Sequence, residues 1–354
     1  MALALFFAFV FVVGACVGSF LNVVAARLPY EKSLLWPGSR CGACVQPIRW
    51  HDNLPVLGWL VLGGKCRTCG VPFSVRYPLV ELLTGLAFVG LFWLVMVQNV
   101  LDLPAMRRPY ANLGLGVVPE ALPVFGHLAV LMSFLIAASL CDLEHMEIPL
   151  SVTIPGTLAG LALSALLPWP FPELADPGPL PGRLAPVPAT GGTQPWPVWY
   201  PLPAWLPAGS WRLGLLTGVA GAAAGMLMMR AVRFLFTLGR GIEGLGVGDA
   251  DLMMMVGAFV GWQPVVLGFF LAVVPALGFA LSALAMKGEQ ALPFGPSLAI
   301  GSMGAVLAWP VVARPFDMLF FEPWFVFGGA GVMAGMLLAL AFLLRLMRGG
   351  TEAA

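Results

Sequence analysis

Eight long apolar stretches, at residues 2–26, 78–97, 123–141, 150–167, 212–236, 252–286, 296–313 and 324–344, decide what this chain can become. About 20 apolar residues cross the hydrocarbon core of a bilayer as a helix. Inside lipid every backbone N–H and C=O must be satisfied within the chain, which excludes open loops and sheet edges. Only 10% of the 354 residues are charged and 60% are hydrophobic, whereas a water-facing domain carries roughly 25% charge. The sequence therefore predicts an all-α polytopic membrane protein. The stretch 252–286 is long for one crossing, and Trp262, Gln263 and Pro264 interrupt it, so the expected count is eight or nine transmembrane segments.

Orientation follows from Lys and Arg in the short loops. Segment 27–77 holds seven of the 18 basic residues, which places it in the cytoplasm. Counting onward puts 142–149 and 237–251 on that same side, and Arg230, Arg233 and Arg240 agree. Arg345 and Arg348 beyond the last span favour nine crossings. No Lys or Arg precedes the first span, so it reads as a retained helix and not as a cleavable signal. The expected organisation is a first helix at 1–26, a cytoplasmic loop domain at 27–77 and a membrane domain at 78–354. Within the last, 168–211 holds 13 of the 32 prolines and five of the 12 tryptophans. Proline cannot continue a helix interior, so this is an external loop, with Trp169, Trp196, Trp199, Trp205 and Trp211 as interfacial anchors. A net charge of +1 gives no reason to expect nucleic acid.

Four of the six cysteines form two pairs inside the basic loop, Cys41 with Cys44 and Cys66 with Cys69. Two CxxC knuckles about 20 residues apart have the spacing of a four-thiolate zinc site. Two disulfides are the competing reading, and the reducing cytoplasm disfavours them. A closed four-cysteine site has no open coordination position, so the Zn²⁺ would be structural. Cys16 and Cys141 lie in apolar spans and are expected to be packed side chains.

Carboxylates at a membrane edge are costly unless they have partners or a task. Asp142 closes the third span, in CDLEHMEIP at 141–149, and Asp249 lies in GLGVGDAD at 244–251. Two close aspartates can share a proton and divide acid and base roles between them. Glycines at 244, 246 and 248 would allow unusual backbone angles and close approach of a substrate chain. An ordinary interfacial loop with solvated acids remains open on pattern alone.

The run GSFLNVVAARLP at 18–29 and the loop at 39–85 resemble the prepilin leader peptidase/N-methyltransferases, membrane aspartyl proteases of the GxGD type. Asp142 with Ile148 and Pro149, GVGD at 246–249, GAFVGW at 257–262 and PFGP at 293–296 follow in the same order. The resemblance implies that Asp142 and Asp249 cut the leader of type IV prepilins or pseudopilins on the cytoplasmic side of a bacterial inner membrane. It implies methyl transfer from S-adenosylmethionine to the new N-terminus, with the cysteine loop serving that half, and partners in pilus or type II secretion machinery. Asp251 stands where the family usually carries lysine, and only Lys287 remains of the basic residues before PFGP. Three other readings stay open: a leader peptidase alone with zinc as scaffold, a zinc-binding assembly subunit, and a transporter with proton-relaying acids.

Overall fold

Helices in lipid gain little from burying apolar side chains against one another, so small residues that let backbones approach decide which helices pair. The computed structural model describes residues 2–103, 106, 117–167, 205–206, 210–241, 246–285, 293–312 and 323–349. Ten α-helices lie among them. They are α1 Ala2–Arg27, α2 Leu57–Val61, α3 Arg76–Phe92, α4 Leu122–His145 and α5 Leu150–Leu166, then α6 Trp211–Arg240, α7 Val247–Val260, α8 Trp262–Ala285, α9 Gly295–Val312 and α10 Pro323–Gly349. No strand occurs among the described residues, so the protein is all-α. Six helices are long and apolar enough to cross a membrane, namely the main parts of α1, α3, α4, α6, α8 and α9; Leu150–Leu166 and Phe327–Ala339 are shorter apolar helices.

The chain forms two compact units, Met1–Asn99 with Ala105–Val152, and Val100–Pro104 with Thr153–Ala354. In the first, α1 and α3 run antiparallel in close contact. A Cβ on Gly14 would fall 2.8 Å from Phe88 Cβ, and one on Gly18 would fall 2.9 Å from Glu81 Cα. Asn22 extends this run, its Nδ2 donating to the Tyr77 carbonyl at 3.2 Å. Phe92 joins the far ends, edge-on to Phe7 of α1 and Phe125 of α4 with ring centres 5.4 Å apart in each pair.

In the second unit α7 is buried along most of its length against α6, α8 and α9. A Cβ on Gly225 of α6 would meet the Met253 carbonyl oxygen of α7 at 2.2 Å. Helices α8 and α9 touch in the same way, a Cβ on Gly301 lying 2.4 Å from the Gly268 carbonyl oxygen. The apolar stretch at 252–286 resolves into two helices. The break falls at Gly261, one residue before the expected interruption, with φ +79°, a conformation glycine adopts without strain. Pro264 then occupies the first turn of α8, where its missing N–H costs nothing.

Most of the proline-rich loop, including Trp169, Trp196 and Trp199, lies outside the described residues. Its returning end is anchored: Leu206 is buried against Leu213, with Leu216, Ala220 and Trp262 packed around them. Trp205 and Trp211 are exposed. Cys141 is fully buried as expected, but Cys16 is exposed because α1 turns that face toward a cavity and not toward a helix.

Candidate functional site

The loop after α1 is built from one turn used twice. Val45 N–H donates to the Cys41 carbonyl and Cys41 N–H to the Gln46 carbonyl; Gly70 N–H donates to the Cys66 carbonyl and Cys66 N–H to the Val71 carbonyl. Bridges between Arg40 and Pro47 and between Lys65 and Pro72 close the two knuckles. The residue after each second cysteine is left-handed, Val45 at φ +59° and Gly70 at φ +71°.

These turns bring four thiols together. Cys41 and Cys69 sulfurs are 3.7 Å apart, Cys44 and Cys66 sulfurs 4.0 Å, and all four lie within 4.8 Å of one another. A tetrahedron with 2.3 Å metal–sulfur bonds has edges of about 3.8 Å, so the cluster fits a metal ion. All four cysteines are free, and these separations are far from a disulfide bond of about 2.05 Å. The knuckle amides lower two of the thiols: the Cys44 and Ala43 N–H groups lower Cys41, and the Cys69 and Thr68 N–H groups bring Cys66 down to about 6. At Cys69 the lowering by the Val71 N–H is outweighed by burial and the neighbouring thiols, which push it up to about 11. Beside the cluster, Arg67 grips Asp52 with both arms, at 2.8 and 2.5 Å, and holds its carboxyl below the usual range.

Asp142 lies in the last turn of α4, in the first unit, and is only 6% exposed. Met146 at φ +55° ends the helix, its N–H donating to the Asp142 carbonyl at 2.9 Å. Neighbouring residues pin this end of α4. Arg76 at the start of α3 pairs with Glu144, and the Tyr30 ring meets His145 edge-on with centres 5.2 Å apart. His145 is therefore a packing residue at this helix end.

Asp249 lies in the first turn of α7, in the second unit, and is 8% exposed, as is Asp251. At about 100° per residue the two acids leave α7 in nearly opposite directions. Asp251 has a cationic neighbour in Arg230 of α6. Gly246 precedes α7 with an ordinary φ of −67°, so glycine is not needed there for backbone angle. A Cβ at Gly246 would sit 3.5 Å from Asp249 Oδ2, an ordinary contact. Glu243 and Gly244 lie outside the described residues, as does Lys287.

Two polar residues went unremarked as sequence. Asn22 in α1 and Glu81 in α3 are both buried. A polar or acidic side chain inside a hydrophobic span is itself a functional signal, and that signal was present at both positions.

A multi-helix membrane protein with buried aspartates at two helix ends and a four-cysteine cluster in an inserted loop has the parts of a membrane-embedded processing enzyme. The chain matches the Bacterial Peptidase A24 N-terminal domain over residues 12–95 and the Type IV leader peptidase family over residues 198–281. It is 37% identical over 73% of its length to a prepilin leader peptidase/N-methyltransferase of Myxococcus xanthus strain DK1622, of which it covers 57%. To the proteins of that name in Burkholderia pseudomallei strain 1026b and Pseudomonas putida it is 30% and 32% identical, over 88% and 84% of its length, covering 87% and 88% of theirs. No solved structure matches. The chain belongs to the prepilin leader peptidase/N-methyltransferase family. The first matched region contains all four clustered cysteines and the second contains Asp249, while Asp142 lies between them.

Proposed function

We propose that this protein is a bifunctional enzyme of a bacterial inner membrane that removes the leader from type IV prepilins or pseudopilins and methylates the new N-terminus. The observation that carries the peptidase half is the burial of Asp142 and Asp249 at two helix ends bordering the membrane spans, a placement of acids that marks functional sites in membrane proteins. Their settings differ. Asp249 sits among the free N–H groups of a helix N-terminus, which favour negative charge, and Asp142 sits at a C-terminal end, which does not. We assign Asp249 as the base that takes a proton from the attacking water. Asp142 is the acid that polarises the scissile carbonyl and then protonates the departing amine. Both act on the cytoplasmic side.

Cys41, Cys44, Cys66 and Cys69 would hold one Zn²⁺. Four thiolates complete its coordination, so it would order the loop and leave hydrolysis to the aspartates. S-adenosylmethionine would supply the methyl group. The prepilins come from pilus or type II secretion machinery. Co-expression with a prepilin, read by intact mass, tests both halves at once. Leader loss reports the peptidase and a further methyl mass reports the transferase; an unprocessed prepilin would refute the reading.

A further inference from the structure

The loop between α1 and α3 leaves one face of its short helix bare. Leu57, Leu60 and Val61 of α2 are 60%, 59% and 78% exposed. At about 100° per residue they share an arc of about 100° on one side. The other side is fixed inward. A Cβ on Gly58 would fall 2.2 Å from the Asp52 carbonyl oxygen, and the Trp59 indole N–H donates to the Phe73 carbonyl at 3.3 Å. Helix α2 therefore cannot roll its aliphatic face into the protein.

The depth of α2 is set by α3. Glu81, buried in α3, takes the Val56 N–H at 2.7 Å. Val56, just before α2, lies at φ +61° with the Leu57 N–H on the Pro55 carbonyl, a strained γ-turn that persists only where its surroundings hold it. The apolar span of α3 begins at Arg76, so Glu81 lies about 7.5 Å along its axis. Side chains lean toward a helix's start, so the bond to Val56 falls between the levels of Arg76 and Glu81. The headgroup zone on each side of a bilayer is about 5–7 Å deep. Helix α2 is thus held at headgroup depth, and the span that holds it carries its own exposed stripe of Leu79, Leu82, Leu83 and Leu86.

Charge points the same way. Segment 27–77 carries seven basic residues against Glu31 and Asp52, in a chain whose net charge is +1. Asp52 is taken by Arg67, while Lys32, Arg40, Arg49 and Lys65 are exposed. Trp36 and Trp50 of the same loop are exposed as well, and indole is favoured at the membrane interface. An interfacial helix of this kind gains from apolar burial and from anionic lipid together.

We propose that α2 lies in the bilayer surface, with Leu57, Leu60 and Val61 at the boundary between headgroups and acyl chains of a leaflet containing anionic lipid. The occupant of the bare face is lipid and not a soluble partner. Glu81 acquires a role outside the chemistry, tying the loop to the depth at which α3 enters the membrane. The four-cysteine cluster in the same loop is then held to the bilayer at three places, by α1, α2 and α3.

The test uses the full-length protein in vesicles of phosphatidylcholine and phosphatidylglycerol, with an environment-sensitive fluorescent amino acid in place of Val61. Lipids brominated along their acyl chains should quench about half or more of its emission, as contact with those chains requires. Leu57→Gln combined with Leu60→Gln should lower that quenching several-fold, and Glu81→Leu should do so by releasing Val56. Leu57 and Leu60 are exposed, so an unchanged unfolding temperature verifies the fold of the double variant. Quenching should weaken in vesicles without phosphatidylglycerol; equal quenching would overturn the part assigned to charge. Equal emission in brominated and ordinary lipid would overturn the proposal. So would a probe that aqueous iodide quenches until a prepilin or a second copy of the chain shields it, since the face would then belong to a protein. None of these readouts needs enzymatic activity, so their failure leaves the processing function standing.

Discussion

Gly221 of α6 and Gly257 of α7 meet backbone to backbone: a Cβ on Gly221 would fall 2.1 Å from the Gly257 carbonyl oxygen, and one on Gly257 would fall 2.0 Å from that of Gly221. Neither neighbour is a side chain that can turn away, so any substitution forces the helices apart. Gly257→Ala should destabilise the protein by about 1–3 kcal/mol, the ordinary cost of overpacking, and displace Asp249 two turns away. Thermal unfolding in detergent, read beside the cleavage rate, checks this; a variant with wild-type melting would mean the helices can part freely.

Asp142→Ala and Asp249→Ala should each lower the cleavage rate by about 10²–10⁴, the usual worth of a positioned acid or base, without loss of membrane insertion. Asp251→Ala should retain most of the activity, because Asp251 leaves α7 on another side and has Arg230 as its neighbour. A dead Asp251 variant beside an active Asp249 variant would exchange their roles.

Val45 holds the left-handed position that Gly70 holds in the second knuckle, and its side chain is largely exposed. A β-branched residue there is strained by about 1–2 kcal/mol, partly offset by glycine's larger entropy when unfolded. Val45→Gly should therefore stabilise the loop by about 0.5–1 kcal/mol, and Gly70→Val should weaken it. Resistance of bound zinc to a chelator gives the order of the variants.

Asp52 is a carboxylate whose folded pKa is depressed by Arg67. Its contribution is therefore complete above the ordinary carboxylate value and is lost as pH falls through the lower folded value. Asp52→Asn removes it at every pH. Zinc release on acidification should begin at higher pH in that variant than in the wild type, and coincident release curves would show the ion pair does not support the cluster.

Replacing Cys41 and Cys44 with serine should abolish zinc binding and reduce methylation far more than cleavage. Metal content, leader loss and methyl mass measured on one preparation separate the outcomes. Loss of cleavage as complete as in Asp142→Ala, in a folded variant, would bring the metal into hydrolysis.

The spans were legible because lipid demands long apolar runs, and the cysteine cluster because two CxxC knuckles fix both the ligand type and the spacing that a metal ion needs. Asp142 and Asp249 stood out as acids bordering apolar helices. What stayed hidden has a common cause. Contacts such as Gly221 with Gly257 carry no side chain, so no hydrophobic period marks them among 43 glycines. The break at Gly261 was displaced from Pro264 because proline is welcome in a first turn. The bare face of α2 emerges only once Gly58 and Trp59 have turned its other side inward. The cost of Val45 is likewise invisible until its φ is known.

The antiparallel run of α1 against α3 also bears on how such a chain can change over generations. Gly14, Gly18 and Asn22 fasten one helix to the other, so the segment between Arg27 and Arg76 departs and returns at the same end of a closed hairpin. It behaves as a cassette. The helix pair has already fixed its two ends, and lengthening such an insert costs only about 0.6 kcal/mol per doubling. A lineage can enlarge, trim or exchange the cassette without re-solving how the membrane helices meet, so two chemistries on one polypeptide can diverge at different speeds.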